Sequence, residues 1–330
     1  MSPSILIVGC GSIGERHLRC FQKTGRCRVS VCDANAALLQ RVAADYSAAS
    51  FPNLEAALVA EKFDALVICT PAHTHLAIAR RAVEAGAALF IEKPLSVTFD
   101  GIEETRQAIA RHDCFTAVAY VYHLMPWIRE AREFLRGGSL GAVLQAVVTS
   151  GQHFPTFRPA YRDIYYNNHA TGGGAVQDAL THLVNAVEWI IGPTTRVFCD
   201  ASHQMLEGVK VEDTADVCAR HGSILASYAM SQFQSPNESV FQFHCERGSV
   251  KIESHALRWG VLRRGERDWS WRQTAAQERD DLFTAQAHAF LDGLEGKPNP
   301  LCTFDEAVQT LKFNQAALRS ISTGWPIAIA

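Results

Sequence analysis

The sequence predicts an α/β chain of two domains, a doubly wound parallel sheet followed by an α+β domain. Up to residue 122, short and almost wholly apolar strands alternate with helical segments, which is typical of a parallel sheet covered on both faces. From residue 123 onward, strand-like segments follow one another, which favours a mixed or antiparallel sheet. A chain of 330 residues also exceeds what one hydrophobic core usually supports. We therefore expect domains at 1–122 and 123–330.

In the first domain, compact apolar runs predict strands and the stretches between them predict helices. The predicted strands are 4–8, 28–32, 65–69, 88–91 and 115–121, and the predicted helices are 13–21, 74–85 and 101–111. Parallel strands of one sheet connect by right-handed crossovers, so this order gives a doubly wound domain.

The second domain begins with a helix and a long strand, and a turn-rich loop then precedes a buried helix. The predicted helices are 127–136, 175–191, 281–294 and 304–322, and the predicted strands are 142–150, 195–201, 214–220, 224–233, 240–245 and 249–252. A basic stretch at 258–272 is interrupted by acidic and tryptophan residues, and we interpret it as a solvated strand face.

Composition and charge exclude several classes of protein. The formal net charge of −3 does not predict the clustered Lys and Arg surface that binds the phosphates of nucleic acid. No apolar run approaches the ~18–20 residues that cross a bilayer, and the first residues do not look like a secretion signal. The ten cysteines include no Cys-x-x-Cys pair, so we expect reduced thiols, no metal and a cytoplasmic location.

The first strand leads directly into a glycine fingerprint formed by Gly9, Gly11, Ser12, Ile13 and Gly14. In such a turn the glycines allow a tight bend, close approach of a pyrophosphate and packing of helix on strand. The start of the helix directs free N–H groups and a positive dipole end at the phosphates. Asp33 follows the second strand, where a carboxylate binds the adenosine ribose and repels a 2′-phosphate. The fingerprint and Asp33 predict a dinucleotide site that prefers NAD to NADP. The alternatives are a glycine turn without a ligand and Asp33 as a turn residue only.

Two polar segments follow the third and fourth predicted strands. The first carries Thr70, Pro71 and His75, and the second carries Glu92 and Lys93. Ligands of open parallel sheets lie beyond the carboxyl ends of the strands, so we expect both segments at the cofactor cleft. A lysine there can exchange or polarise a proton. The alternative is an exposed lysine at a strand end.

Asp178 and His182 form a second polar pair, on the otherwise apolar helix that follows three glycines at 172–174. Residues four apart share one face of a helix. A carboxylate one turn before a histidine can orient the ring and raise its basicity. A polar pair that satisfies itself inside a core is the alternative interpretation.

Together these motifs resemble the Gfo/Idh/MocA family, the glucose-fructose oxidoreductase and inositol dehydrogenase group. The resemblance spans nearly the whole chain, and the motifs occur in the expected order: the fingerprint, the Thr70 segment, Glu92-Lys93-Pro94, 172–174 with Asp178 and His182, 212–215, and 303–307. It implies an N-terminal Rossmann domain and a C-terminal domain with an open-faced sheet that often mediates homodimers or homotetramers. It also implies an NAD-dependent dehydrogenase or reductase acting on a carbinol carbon of a sugar or cyclitol.

The resemblance also implies roles for individual residues. Lys93, Asp178 and His182 match the family's catalytic set: the histidine would remove the hydroxyl proton, the lysine would bind that oxygen, and the aspartate would hold and tune the pair. The expected cofactor contacts are the fingerprint, Asp33, Thr70, Pro71, His75, Glu92 and Lys93. The expected substrate contacts are the catalytic set with His123, Tyr161 and Arg162.

The chain departs from the family's usual pattern near the expected substrate site. The stretch 121–126 lacks the Asn and Arg that often precede its proline, and we expect His123 to replace the arginine. Asn185 stands where many members carry Asp. Tyr161 and Arg162 belong to a loop at 161–166 whose side chains can stack on and bind a polyol, and an ordinary packed loop is the alternative.

Two other functions fit the same motifs. One is a glycoside-cleaving relative that retains NAD and oxidises its substrate transiently, which the motifs do not separate from a dehydrogenase. The other is a regulator that binds dinucleotide without catalysis. The presence of Lys93, Asp178 and His182 together is unfavourable to the regulator.

Overall fold

In the computed structural model, the described residues are 2–162, 165–278 and 280–329. They form two compact units. The first consists of the chain up to Leu124 together with Gln277–Val308, and the second consists of Met125–Ala276 together with the chain from Gln309 onward. This grouping differs from a single division after residue 122, because the segment Gln277–Val308 returns to pack with the N-terminal part of the chain.

The first unit is built on a six-stranded parallel sheet with the order β3-β2-β1-β4-β5-β6. The strands are β1 (Ser4–Val8), β2 (Arg28–Cys32), β3 (Ala49–Phe51), β4 (Ala65–Ile68), β5 (Ala88–Ile91) and β6 (Thr116–Val118). Every residue of β1, β4 and β5 is buried, which explains why these segments are continuous apolar runs. The predicted doubly wound parallel sheet is confirmed.

Five helices lie between or after these strands. They are α1 (Ser12–Lys23), α2 (Ala36–Tyr46), α3 (Leu54–Ala60), α4 (His75–Glu84) and α5 (Ile102–Arg111). The elements β3, α2 and α3 were not predicted. Both helices nevertheless carry a start signal, since Asn35 accepts a hydrogen bond from the Leu38 amide (3.1 Å) and Asn53 accepts one from the Ala56 amide (2.8 Å).

The second unit is built on a nine-stranded mixed sheet with the order β14-β13-β12-β11-β7-β10-β9-β8-β15. The strands are β7 (Val143–Gly151), β8 (Arg196–Ser202), β9 (Thr214–His221), β10 (Ile224–Ser231), β11 (Glu238–Cys245), β12 (Gly248–Glu253), β13 (Arg258–Arg263), β14 (Ser270–Gln273) and β15 (Ile327–Ala328). Neighbours β7 and β10 are parallel, and the other neighbouring pairs are antiparallel. The predicted mixed sheet is confirmed.

One face of this sheet is covered and the other is open. In β9, Ala215, Val217 and Ala219 are buried, whereas Asp216 and Cys218 between them are exposed. The other α-helices among the described residues are α6 (Pro126–Arg136), α7 (Phe154–Phe157), α8 (Thr181–Ile191), α9 (Asp281–Leu294) and α10 (Phe304–Thr323). Helix α6 packs against β12 and β13. In the part of the chain that is described, no helix has both the length and the apolar character of a bilayer span.

Helix α9 completes the core of the first unit by packing against α1. The ring of Phe290 on α9 lies 6.1 Å from that of Phe21 and 5.0 Å from that of Phe90, measured between centroids. A residue of the C-terminal part of the chain is therefore at the centre of the N-terminal core.

Candidate active site

The glycine turn joins β1 to α1 at the carboxyl edge of the parallel sheet. A Cβ on Gly14 would lie 1.8 Å from the carbonyl oxygen of Gly9, so only glycine fits where the helix meets the turn. A Cβ on Gly11 would meet no described atom within 4 Å. The backbone of Gly11 therefore borders open space that a ligand can enter.

Helix α1 begins at Ser12 with Gly11 as its N-cap, and no described side chain caps it. The first-turn amides of an uncapped helix are available to an anionic ligand. Open space beside Gly11 and an uncapped helix start are the features that a pyrophosphate needs. The fingerprint residues, including Ser12 and Ile13, therefore fit the dinucleotide that the motif predicts.

Asp33 ties the glycine turn to the loop after β2. Its Oδ2 accepts a hydrogen bond from the Cys10 amide (2.7 Å), and its Oδ1 accepts one from the Asn35 amide (2.7 Å). Asp33 also lines a cavity of about 220 Å³. Each carboxylate oxygen has a second lone pair, so the fixed carboxylate can still accept bonds from ribose hydroxyls. Burial and the charge of Asp33 raise the pKa of Cys10 to about 12, so this thiol is neutral.

His75 braces the two loops that follow β4 and β5. The residue is buried at the start of α4, with Nε2 2.8 Å from the Thr70 carbonyl oxygen and Nδ1 3.1 Å from the Pro94 carbonyl oxygen. Burial lowers the pKa of His75, although the neighbouring carbonyls act in the opposite direction. The hydroxyl of Thr70 lies 2.6 Å from that of Thr74, and the Pro71 carbonyl accepts the Thr74 amide (2.9 Å). The Thr70 segment is thus held at the carboxyl edge of the sheet.

Glu92 is buried and uses both carboxylate oxygens inside the first unit. Oε1 lies 2.6 Å from Nε2 of His17, and Oε2 accepts the backbone amide of Lys93 (3.0 Å). Burial alone raises the pKa of Glu92, but the hydrogen bond from His17 and the charge of Lys93 outweigh it and hold this pKa below its usual range. Glu92 is therefore an anion at neutral pH, next to the backbone of a half-buried Lys93. The peptide bond between Lys93 and Pro94 is cis.

The N-terminal site residues converge because of the strand order. Strands β1, β4 and β5 are neighbours and parallel, so the residues that follow them emerge at one edge. The structure therefore brings the glycine turn, the Thr70 segment and Lys93 to the same edge of the sheet, with Asp33 after β2 on the other side of β1.

Asp178 and His182 lie on one continuous helical segment of the second unit. An α-helix was predicted from residue 175, but Val176–Leu180 is a π-helix that continues into α8. Such π-turns often occur at functional sites. Asp178 is buried and accepts a hydrogen bond from the hydroxyl of Tyr165 (2.6 Å). His182 is half-buried in the first turn of α8.

Glu212 anchors the start of this helical segment. Its Oε1 accepts the amide of Val176 (3.0 Å), and its Oε2 pairs with the ring of His169. Gly174 has φ +87°, and a Cβ there would lie 2.5 Å from Oε1 of Glu212. Glycine at position 174 is therefore required for the close approach of Glu212. The hydrogen bond to Glu212 raises the pKa of His169, although partial burial acts against it.

The residues expected to contact substrate have structural partners as well. Tyr161 is buried and its hydroxyl donates to the Glu207 carbonyl (2.7 Å). Nε of Arg162 donates to the same carbonyl (2.8 Å). His123 is buried with Nδ1 3.0 Å from the Pro300 carbonyl oxygen. These contacts agree with the packed-loop alternative for Tyr161, and a role in substrate binding stays a prediction. Residues 163 and 164 of the same loop lie outside the described residues.

Two side-chain contacts of the proposed catalytic region are among those that were not expected from the sequence. His17 bonds Glu92 and Tyr165 bonds Asp178. A signal for His17 was present, since it is a polar residue one turn after Gly14 on the buried face of α1. No spacing rule connects Tyr165 with Asp178, because an irregular loop separates them.

Known proteins resemble this chain along most of its length. Residues 4–120 match a family described as an oxidoreductase family with an NAD-binding Rossmann fold, and residues 128–251 match the GFO/IDH/MocA C-terminal domain. Inositol 2-dehydrogenase of Ralstonia nicotianae is 26% identical over 326 residues, which cover 90% of this chain and 87% of that protein. Inositol 2-dehydrogenase of Rhizobium meliloti is 25% identical over 187 residues, which cover 56% and 54% of the two chains.

A solved structure shows the same fold. Levoglucosan dehydrogenase in complex with NADH and levoglucosan superposes with a TM-score of 0.89 over 100% of both chains, at 18% sequence identity. The resemblance drawn from the motifs, the two architectures and NAD as cofactor are confirmed. The matched domains follow each other in the family's order, and the glycine turn has the open space that a dinucleotide needs. The chain thus belongs to the Gfo/Idh/MocA family and is an NAD-binding oxidoreductase.

Proposed function

We propose that this oxidoreductase acts on a carbinol carbon of a sugar, sugar derivative or cyclitol, as a dehydrogenase or reductase. The observation that carries the proposal is the position of Lys93. It follows β5 at the edge where the glycine turn also emerges, and buried Glu92 holds its backbone. When bound, NAD supplies the hydride acceptor, or NADH the donor. An ammonium group at that edge can donate a hydrogen bond to the oxygen of the reacting carbon.

We assign the proton chemistry to Lys93, Asp178 and His182. In the oxidative direction His182 takes the hydroxyl proton as a general base. The ammonium of Lys93 stabilises the negative charge that develops on the oxygen. Asp178 holds and tunes this pair, and its own carboxylate is oriented by the hydroxyl of Tyr165 (2.6 Å).

The proposed ligand contacts follow from the same assignment. For the cofactor they are Gly9, Gly11, Ser12, Ile13, Gly14, Asp33, Thr70, Pro71, His75, Glu92 and Lys93. For the substrate they are the catalytic set with His123, Tyr161 and Arg162. The substrate class is supported by relatives named inositol 2-dehydrogenase and by the fold shared with levoglucosan dehydrogenase. Both names refer to polyhydroxylated rings.

A panel of sugars, sugar acids and cyclitols with NAD and NADP, followed by nicotinamide absorbance, tests the function. We expect His182→Ala to lower kcat on the best substrate by about 10²–10⁴-fold, the usual contribution of a general base. Binding of NADH, followed by its fluorescence, should be unchanged. His288→Ala is the matched control, because His288 is also a half-buried helical histidine but lies on α9.

The other outcomes separate the alternative functions. Turnover of His182→Ala at the parent rate would show that the base is a different residue. Release of an aglycone without net NADH would identify a glycoside-cleaving enzyme. Biological activity that survives Lys93→Ala would identify a regulator.

We also propose that the enzyme works in the cytoplasm as a homodimer or homotetramer. The ten cysteines form no Cys-x-x-Cys pair, which suits a reducing compartment.

The open face of the nine-stranded sheet presents Phe198 and Leu225, which are 38% and 50% exposed. Apolar side chains on an exposed face favour association, and the family resemblance implies that a second copy covers this sheet.

A further inference from the structure

His17 on α1 has no part in the proposed chemistry, yet it is completely buried beside the Glu92-Lys93 segment. We propose that His17 is a positioning residue, which fixes the carboxylate of Glu92 and through it the backbone of Lys93. The inference deepens the proposed function, since it rests on the role of Lys93 in that function. His17 touches none of the reacting atoms and acts only through Glu92.

The contacts form a short chain within the first unit. Nε2 of His17 lies 2.6 Å from Oε1 of Glu92, and Oε2 of Glu92 accepts the amide of Lys93 (3.0 Å). A carboxylate held at both oxygens cannot rotate without breaking one of the bonds. His17 is on α1, whose uncapped start would face the phosphates of a bound dinucleotide. One side chain therefore connects this helix with the lysine segment.

Among the described residues, the ring of His17 makes one hydrogen bond, to Glu92, and is otherwise surrounded by aromatic rings. The centroids of Phe21, Phe90 and Phe283 lie 6.5, 5.4 and 5.7 Å from that of His17. Nδ1 has no hydrogen-bond partner among the described residues. The proton on Nε2 is therefore the one that serves Glu92, and a hydrogen bond enclosed by apolar rings is stronger than one in water.

The charge state of Glu92 points in the same direction. Burial raises the pKa of this carboxyl, and the bond from His17 with the charge of Lys93 brings it below the usual range. Without the hydrogen-bond donor at position 17, only the charge and the amide of Lys93 oppose the rise in the pKa of Glu92 that burial causes. The carboxylate of Glu92 can then rotate more freely and is more easily protonated.

Two substitutions separate positioning from simple support of the fold. His17→Phe fills the aromatic cage formed by Phe21, Phe90 and Phe283 but removes the hydrogen-bond donor. His17→Gln keeps a side-chain N–H near the position of Nε2. With an accepted polyol, we expect His17→Phe to lower kcat by about tenfold or more, since small misplacements of catalytic groups cost this much. The loss should fall mainly on kcat, with smaller changes in KM and in the Kd for NADH, and His17→Gln should restore most of kcat.

A matched control is Phe21→Leu, which disturbs the same cage without touching a polar group. We expect it to lower the melting temperature and to leave kcat unchanged. If His17→Gln behaves like His17→Phe, and both behave like Phe21→Leu, His17 only supports the fold and the inference is wrong. Should His17→Phe not fold, His17→Asn replaces it, because its amide is too short to reach Glu92.

A second measurement needs no turnover. Hydrogen exchange of the intact protein, followed by mass spectrometry on peptides covering 91–95, reports the bond from the Lys93 amide to Glu92. We expect exchange of this amide to rise about tenfold in His17→Phe, as local opening becomes easier, and to stay at the parent rate in Phe21→Leu. Faster exchange without any polyol turnover would support His17 and reject the proposed function. Unchanged exchange and unchanged kcat would overturn the role of His17.

Discussion

At the residue scale, three carboxylates hold the backbone around the proposed site. Asp33 accepts the amides of Cys10 and Asn35. Glu92 accepts the amide of Lys93, and Glu212 anchors the π-helix in the second unit. A hydrogen bond to a charged group contributes about 1.5–3 kcal/mol, and an unpaired buried partner is costly. Carboxylates of this kind therefore fix loops that have no regular secondary structure.

Replacing Asp33 tests the cofactor assignment. We expect Asp33→Ala to weaken NAD binding by about tenfold or more, since loss of one charged hydrogen bond costs at least ~1.4 kcal/mol. The preference over NADP should also relax, because the repulsion of a 2′-phosphate is removed. Fluorescence titrations with NADH and NADPH measure both effects. Asp45→Ala, which removes an exposed partner of Arg41, is the control. Unchanged NADH affinity would refute the assignment.

We expect the pair of His169 and Glu212 to make the stability of the fold depend on pH. Since the folded-state pKa of His169 is raised, its contribution is complete below the unfolded value of ~6.5 and is lost as pH rises through the folded pKa. The side chain of His169 is 47% exposed, so we expect less than about 1 kcal/mol and a shift in melting temperature of at most ~2–4 °C.

Melting curves of the parent and His169→Gln measure this effect. We expect the gap between them to be larger near pH ~5.5 than near pH ~9. His112→Gln, at an exposed histidine, should show no such change. A gap that stays constant or grows with pH would contradict the expected loss of stability at high pH.

At the element scale, the buried strands were the most predictable parts of the chain. Strands β1, β2 and β5 have the predicted bounds, because all their residues except Arg28 are buried and the runs end at Gly9, Asp33 and Glu92. The strand β3 has three residues at the edge of the sheet and is largely exposed, so it gives no apolar run. The π-helix was not predictable from spacing, since the apolar pattern of 175–191 is that of an ordinary helix, and the residue that anchors its start, Glu212, is 36 residues from Val176 in the chain.

The glycine turn allows folding and cofactor binding to be separated. We expect Gly14→Ala to destabilise the protein by about 1–3 kcal/mol or more, because its Cβ collides with the backbone of Gly9. Gly11→Ala should melt like the parent, yet bind NADH much more weakly, because the new methyl occupies the space beside the turn. Thermal melts and fluorescence titrations measure the two effects. A stable Gly14→Ala or a tightly binding Gly11→Ala would contradict this division.

At the scale of the whole molecule, the sequence allowed the architecture and the local motifs to be predicted, but not the contacts that support them. The glycine turn, Asp33 and Lys93 were predictable because each follows a strand directly. The bonds of His17 to Glu92 and of Tyr165 to Asp178 were not, because they join segments whose relative course depends on tertiary packing. Tyr161 and Arg162 share this difficulty as substrate contacts, since they belong to an irregular loop.

The proposed association of copies can be tested on the open face of the sheet. If the proposed association is right, we expect Leu225→Glu to give smaller species than the parent, because it places a charge on the surface that the proposal assigns to the contact between copies. Val59→Glu is the control, since Val59 is also an exposed apolar residue but belongs to the first unit. Analytical ultracentrifugation measures the result. An unchanged sedimentation coefficient for Leu225→Glu would place the contact elsewhere.

The return of Gln277–Val308 to the first unit means that the two units are interleaved along the chain. The polypeptide passes from one unit to the other three times, after Leu124, Ala276 and Val308. No single scission can therefore release either unit as a complete piece. A protease that nicked the exposed stretch at Ala275 and Ala276 would leave two fragments, each still contributing to both cores. Such fragments would stay associated under native conditions and separate only in denaturant.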